Sequence, residues 1–143
     1  MKIRPFTLDD EAAVINLWQR CGLTRPWNDP HLDIRRKLTV QPELFVVGEM
    51  DGKIVASAMA GFEGHRGWVN YLAVDLECRF LGLGRQLMAH LETGLQALGC
   101  PKLNLQIRSS NDAVLAFYRR LGYLDDDVVC LGKRLISDES MQG

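Results

Sequence analysis

The chain has 143 residues, 47% of them hydrophobic and 24% charged, and its 17 basic and 18 acidic side chains leave a formal net charge of −1. That composition suits one ordinary domain with a real core and excludes disorder and fibrous structure. It also argues against a membrane span, since no apolar run approaches the ~18–20 residues a bilayer requires, and against a nucleic-acid binder, which needs a basic excess.

Lys2–Phe6 reads as a short strand. Thr7 opens a helix, with Asp10 where a capping-box acid sits, and Val14, Leu17, Trp18 and Cys21 form one apolar stripe at helical spacing. Gly22 stands at its C-terminal stop. LTRPWNDP is loop by composition, and Asp29-Pro30 gives the cap and first turn of a short basic helix, Ile34-Arg35-Arg36-Lys37-Leu38, that stops before Pro42. The period then changes to two. Leu44–Glu49, the Asp51-Gly52 turn and Ile54–Phe62 make a hairpin. Gly64-His65-Arg66-Gly67 predicts a second reversal into a third strand, Trp68–Val74.

After Arg79 the pattern is helical, with Leu83, Leu87, Leu91, Leu95 and Leu98 along one face and a stop at Gly99 and Pro101. Leu103–Ile107 alternates as a strand. Asn111–Leu121 is another helix, closed by Gly122. The stretch from Tyr123, and Val128–Leu135, read as final strands, and Ser137–Gly143 as a polar tail that frays. The expectation is one domain over 1–143, without repeats or linkers. The opening MKIRPFTLDD has no apolar stretch of signal-peptide type, and Cys21, Cys78, Cys100 and Cys130 form no C-x-x-C pair, so reduced thiols in a cytoplasmic protein are expected.

The chemistry concentrates in Val69–Gly84, a strand (VNYLAV), a polar bend (DLEC), and Arg79-Phe80-Leu81-Gly82-Leu83-Gly84 opening a long helix. Two glycines there remove Cβ atoms where a ligand would approach the backbone. The first N–H groups of the helix lack internal partners and stand at the positive end of its dipole, which with Arg79 and Arg85 suits a pyrophosphate. The same glycines would equally serve a bare loop-to-helix turn. A phosphate-binding P-loop is excluded, because Arg85-Gln86 stands where Lys-Ser/Thr is required. A dinucleotide fingerprint fits poorly, since its third Gly position is Leu87 and the strand ends well before Gly82. Nothing matches a nucleophile elbow, a zincin motif or clustered metal ligands, so no metal is expected.

The order R-x-x-G-x-G after a strand resembles the signature of the GNAT superfamily of acyl-CoA-dependent N-acetyltransferases. The strand LAV (72–74), Asn111 with Phe117-Tyr118, and Gly122-Tyr123 are similar to the same family, and the element order follows it across residues 2–135. RPWNDP (25–30) and LGKRL (131–135) are similar to a narrower bacterial branch of it. The resemblance implies an α+β, three-layer fold: a mixed, mostly antiparallel sheet of six to seven strands flanked by about four helices. It implies acetyl-CoA as co-substrate, with Leu72, Ala73 and Val74 along the pantetheine arm and thioester. The amides of Phe80, Leu81, Gly82, Leu83, Gly84 and Arg85, with Arg79, would hold the diphosphate. An amide near Leu72 would polarise the thioester carbonyl. Tyr118 would protonate the departing thiolate, and Asn111 would orient the cofactor or a water; the rival readings are a core tyrosine and a helix cap.

The proton acceptor is less legible. The resemblance implies a Glu where Gln106 or Trp68 stands here, and the carboxylates left near the expected cleft are Glu63, Asp75 and Asp29, each also readable as a turn, strand-end or cap residue. Glu63 is the first choice as catalytic base, with His65 an alternative. Trp27 and Asn28 stand where an acceptor would pass, Trp27 reading rather as a hydrophobic plug. The function implied is acetyl transfer from acetyl-CoA to a primary amine by direct attack. The rivals are a non-catalytic acyl-CoA sensor or interaction module of the same fold, and a nicotinamide-dependent oxidoreductase. Partners expected are acetyl-CoA and an amine acceptor, with neither nucleic acid nor membrane, and strand-edge or helix-face homodimers are compatible with the chain.

Overall fold

A computed structural model of the protein describes residues 1–139. Five strands form one sheet in the order β1 (Lys2–Pro5), β2 (Phe45–Met50), β3 (Lys53–Phe62), β4 (Gly67–Val74) and β5 (Leu103–Leu105). The first three pairings are antiparallel and β4–β5 is parallel. Between the strands run α1 (Glu11–Arg20), α2 (Pro30–Lys37), α3 (Leu83–Ala97) and α4 (Asp112–Arg120).

Local chemistry sets the element ends as expected. The capping box between Thr7 and Asp10 is formed, although a 3-10 turn over Leu8–Asp10 precedes α1. Asp29 caps α2 by accepting the His31 amide at 2.9 Å. Asp51 and Gly52 both take positive φ, 51° and 76°, the pair of left-handed residues that a two-residue hairpin turn demands.

Two apolar layers hold the sheet. On one face Val14, Leu17 and Trp18 of α1 and Ile34 of α2 pack on Phe45, Val47, Met59 and Ala73. On the other, Leu83, Leu87, Met88, Leu91 and Leu95 of α3, with Tyr118 of α4, pack on Val46, Ala56, Ala58 and Val69. The α3 stripe stops one residue early, for Leu98 is exposed.

The sheet has five strands among the described residues, not six or seven. The expected strands after Tyr123 and over Val128–Leu135 form no ladder, and Leu124, Val128, Val129, Leu131 and Leu135 are all exposed. Side chains on alternate positions of and beyond β5 hold this segment instead: Lys102 and Asn104 both bond Asp126, at 2.7 and 2.5 Å, and Gln106 meets Cys130. Alternation supplied apolar side chains without a main-chain partner, and the carboxylate of Asp126 took the contact. β5 is likewise shorter than Leu103–Ile107. Of the tail expected to fray, Asp138 is buried and ion-paired, and residues 140–143 lie outside the described part.

Candidate active site

The site starts from a bulge. Between Ser57↔Ala73 and Met59↔Asn70 the β4 strand carries one residue more than β3. The extra length is taken up at Tyr71, whose φ of 54° lies in the left-handed region, costly for a non-glycine residue. Distant contacts hold it there: the Tyr71 ring stacks on Trp18 at 4.0 Å, and its hydroxyl donates to Asp33 at 2.6 Å. Burial and that carboxylate push the phenol above its ordinary range. Trp18 is itself anchored, its buried indole N–H donating to Ser57 Oγ at 2.9 Å.

The bulge has a consequence for the sheet. β4 and β5 pair only from Gly67↔Leu103 to Val69↔Leu105. Beyond that, Asn70–Val74 has no β5 partner, so the edge of Leu72, Ala73 and Val74 carries no ladder on that side. Cys21 Sγ donates to the Val74 carbonyl at 3.3 Å, and Arg79 Nε approaches the same oxygen at 3.5 Å.

At the end of β4, Asp75 caps a 3-10 turn (Leu76–Cys78) and pairs with Arg20 at 2.8 Å, which holds its carboxyl below the usual range. The chain then passes through two left-handed residues, Phe80 (φ 68°) and Gly82 (φ 77°), into α3. The N–H groups of Phe80, Leu81, Gly82, Leu83, Gly84 and Arg85 bond no described residue; the first amide of α3 to find a partner is Gln86, on Gly82 O at 3.1 Å. Phe80 and Leu81 are exposed, and neither Arg79 nor Arg85 makes an ion pair with a described residue. Unpaired amides, free cations and a helix dipole converge here, the chemistry that fits a diphosphate.

The two glycines differ in their surroundings. Gly82 faces open space and serves the left-handed backbone. A Cβ on Gly84 would meet Phe117 Cζ at 3.0 Å, so this glycine lets α4 pack against the first turn of α3.

Beside Phe117, Tyr118 joins the buried layer on the α3 face of the sheet. Its ring is buried, edge-on to Phe117 at 5.0 Å and Tyr123 at 5.7 Å, and burial raises its phenol above the ordinary range. Its hydroxyl has no hydrogen-bond partner among the described residues, whereas the Tyr123 hydroxyl donates to Glu92 at 2.9 Å. Asn111 caps α4, its side chain accepting the Val114 amide at 3.3 Å.

On the α1/α2 face a pocket of about 210 Å³ abuts the bulge, lined among others by Lys37, Met59, Glu63, Trp68 and Asn70. Glu63 and Trp68 are candidates in the sequence; Lys37 enters there only as part of the short basic helix, and no local motif marks Asn70. Glu63 accepts the amides of His65, at 2.6 Å, and Arg66, which hold its carboxyl below the usual range. Gln106 stands apart, exposed at the end of β5.

The neighbouring wall is a polar clasp. Asp138 accepts Arg36 Nη2 at 2.7 Å, Arg134 Nη2 at 2.9 Å and the Asp29 amide at 2.9 Å, while Arg134 Nη1 donates to Asn28 Oδ1 at 2.7 Å. Trp27, beside them, is no plug: it is 49% exposed. Among the described residues no group of three or more His, Cys, Asp or Glu could hold a metal ion, and no helix is long and apolar enough to cross a membrane.

The family model described as the acetyltransferase (GNAT) family matches residues 8–123. An acetyltransferase of Pectobacterium atrosepticum is 51% identical over 138 residues, covering 96% of this chain and 98% of the relative. Among solved structures, the ribosomal-protein-S18-alanine N-acetyltransferase of Escherichia coli aligns with a TM-score of 0.71 at 27% identity, over 85% of this chain and 76% of that one. Ard1 of Thermoplasma volcanium aligns with a TM-score of 0.75 at 25% identity, over 86% and 82%. The chain belongs to the GNAT acetyltransferase family and is an acetyl-CoA-dependent acetyltransferase.

Proposed function

With that membership as premise, we propose that the chain transfers the acetyl group of acetyl-CoA to a primary amine, on a small molecule, a peptide N-terminus or a lysine, by direct attack. No covalent enzyme intermediate is involved. The observation that carries the reading is the row of unbonded amides from Phe80 to Arg85 at the foot of a strand edge that β5 leaves open. Arg79, Gly82, Gly84 and Arg85 hold the diphosphate, and Leu72, Ala73 and Val74 flank the pantetheine arm.

The amine nitrogen forms a bond to the thioester carbon as the carbon–sulfur bond breaks. An amide near Leu72 stabilises the charge growing on the carbonyl oxygen. Tyr118 gives its proton to the sulfur. Its free hydroxyl supports that role, and its raised pKa keeps the proton in place until a thiolate forms beside it. Asn111 caps the helix that carries Tyr118 and orients the cofactor or a water.

Glu63 takes the amine's proton. As a carboxylate held below its usual range it is ionised at neutral pH and can take the proton that the nitrogen sheds once it has attacked the carbonyl. The same reading keeps a cytoplasmic protein and a homodimer as working expectations, and places RPWNDP and LGKRL with a narrower bacterial branch.

Calorimetry with coenzyme A tests the foundation. A one-to-one heat and a rise in melting temperature are expected, and Arg79→Ala with Arg85→Ala should weaken binding at least tenfold. Absence of heat at millimolar coenzyme would overturn the reading. Free-thiol release with a panel of amines then tests transfer, and Glu63→Gln should lower kcat at least tenfold.

A further inference from the structure

The pocket beside the bulge is rich in unused hydrogen-bond donors. Lys37, the last residue of α2, is half-buried, and its Nζ donates to Ala60 O at 2.5 Å and Val40 O at 2.8 Å. An ammonium carries three donors, so one remains. Among the described residues no carboxylate lies within 4 Å of it, and Glu43 acts only through space. Burial therefore lowers its pKa without an ion pair to restore it. Across the pocket the indole N–H of Trp68 and the carboxamide of Asn70 bond no described residue. The Gln41 amide bonds the Phe62 main chain in both directions, donating to Phe62 O at 2.9 Å and accepting Phe62 N at 2.7 Å. The one carboxylate there, Glu63, is occupied by two turn amides.

A recess with an uncompensated cation and spare N–H groups is complementary to an anion and repels a polycation. Its position relates it to the reaction, for Asn70 is the last β4 residue before the bulge at Tyr71. We propose that this pocket selects acceptors carrying a carboxylate near the reacting amine, as in an α-amino acid, with Lys37 receiving the carboxylate. The proposal rests on the transfer reading and deepens it. The amine then faces the open edge of β4 and Glu63, while Met59 and Val40 line the way for an apolar side chain. Polyamines and aminoglycosides, which bring several positive charges, are disfavoured.

Two measurements test it separately from transfer. Thiol release is compared for α-amino acids and their carboxamides on the wild type, Lys37→Gln and Lys37→Arg. The expected result is a preference of at least tenfold in kcat/KM for the acids. Lys37→Gln should abolish it mainly through KM, and Lys37→Arg should restore part. Equal or better use of carboxamides or polyamines by the wild type overturns the proposal, as does a preference that survives Lys37→Gln. Calorimetry of N-acetyl amino acids against N-acetyl amino amides, on protein saturated with coenzyme A, reads the pocket without turnover. Acids binding at least tenfold tighter, and only with Lys37 present, support the pocket even if no amine is acetylated, an outcome that would instead sink the transfer reading. Equal binding overturns it. Coenzyme A affinity of each variant reports whether it has folded.

Discussion

Phe117 Cζ stands 3.0 Å from where a Cβ on Gly84 would be, so the first turn of α3 and the helix bearing Tyr118 are fitted to each other through a missing side chain. The two loop glycines should therefore fail differently. Gly82→Ala meets nothing within 4 Å but must hold φ near 77°, a cost of about 1–2 kcal/mol. Gly84→Ala gains about 1 kcal/mol of helix propensity, and the partly exposed Phe117 ring can yield a few tenths of an ångström, so stability should change by less than about 1 kcal/mol. Gly84→Val cannot be absorbed so and should cost about 1–3 kcal/mol. Urea unfolding of the three variants checks this order.

Tyr118→Phe separates catalysis from packing. The hydroxyl bonds no described residue, so its removal should leave stability within about 0.5 kcal/mol. Coenzyme A affinity should stay within twofold. As the lost general acid, it should lower kcat about a hundredfold or more. Because burial raises the phenol above the ordinary ~10, the acid keeps its proton as pH rises, and no alkaline fall in kcat from this group should appear below pH 10. Unchanged kcat with a good acceptor would remove Tyr118 from the mechanism.

What the sequence disclosed was local. Asp51-Gly52 encodes its own turn, the leucines of α3 encode one buried face, and Arg79 to Gly84 encode a helix mouth, each through residues adjacent or one turn apart. The bulge is invisible in VNYLAV, which contains no glycine, because a stack on Trp18 and a bond to Asp33 hold Tyr71 in place. Lys37 reads in the sequence only as one of three consecutive basic residues of a short helix; the carbonyls of Val40 and Ala60 reveal its burial. The alternation in Val128–Leu135 misled for the converse reason: a strand needs a partner's main chain, and period alone does not supply one.

Ser57→Ala tests the anchoring of the bulge from below. It would leave the Trp18 indole N–H, on a fully buried side chain, without its acceptor at 2.9 Å. An unsatisfied buried donor costs about 1–3 kcal/mol, which chemical denaturation should register. Since Trp18 supports Tyr71 through the 4.0 Å stack, the variant should also raise KM for the acceptor while coenzyme A binding at the helix mouth holds.

Asp138 ties the C-terminal segment to α2 and to the Asn28-Asp29 loop. Two arginines and the Asp29 amide hold its carboxyl far below the ordinary range. A carboxyl whose folded pKa is depressed contributes stability at pH values above its unfolded value, ~3.9, and loses that contribution as pH falls toward the folded value. Asp138→Asn should therefore melt below the wild type by a constant margin from pH 5 to 8. The margin should narrow as pH drops under 4, because the unfolded wild type then takes up a proton that the folded state still excludes. Paired thermal melts between pH 8 and 2.5 read the difference directly. If the margin were unchanged at pH 2.5, shape and neutral hydrogen bonding rather than charge would hold the clasp.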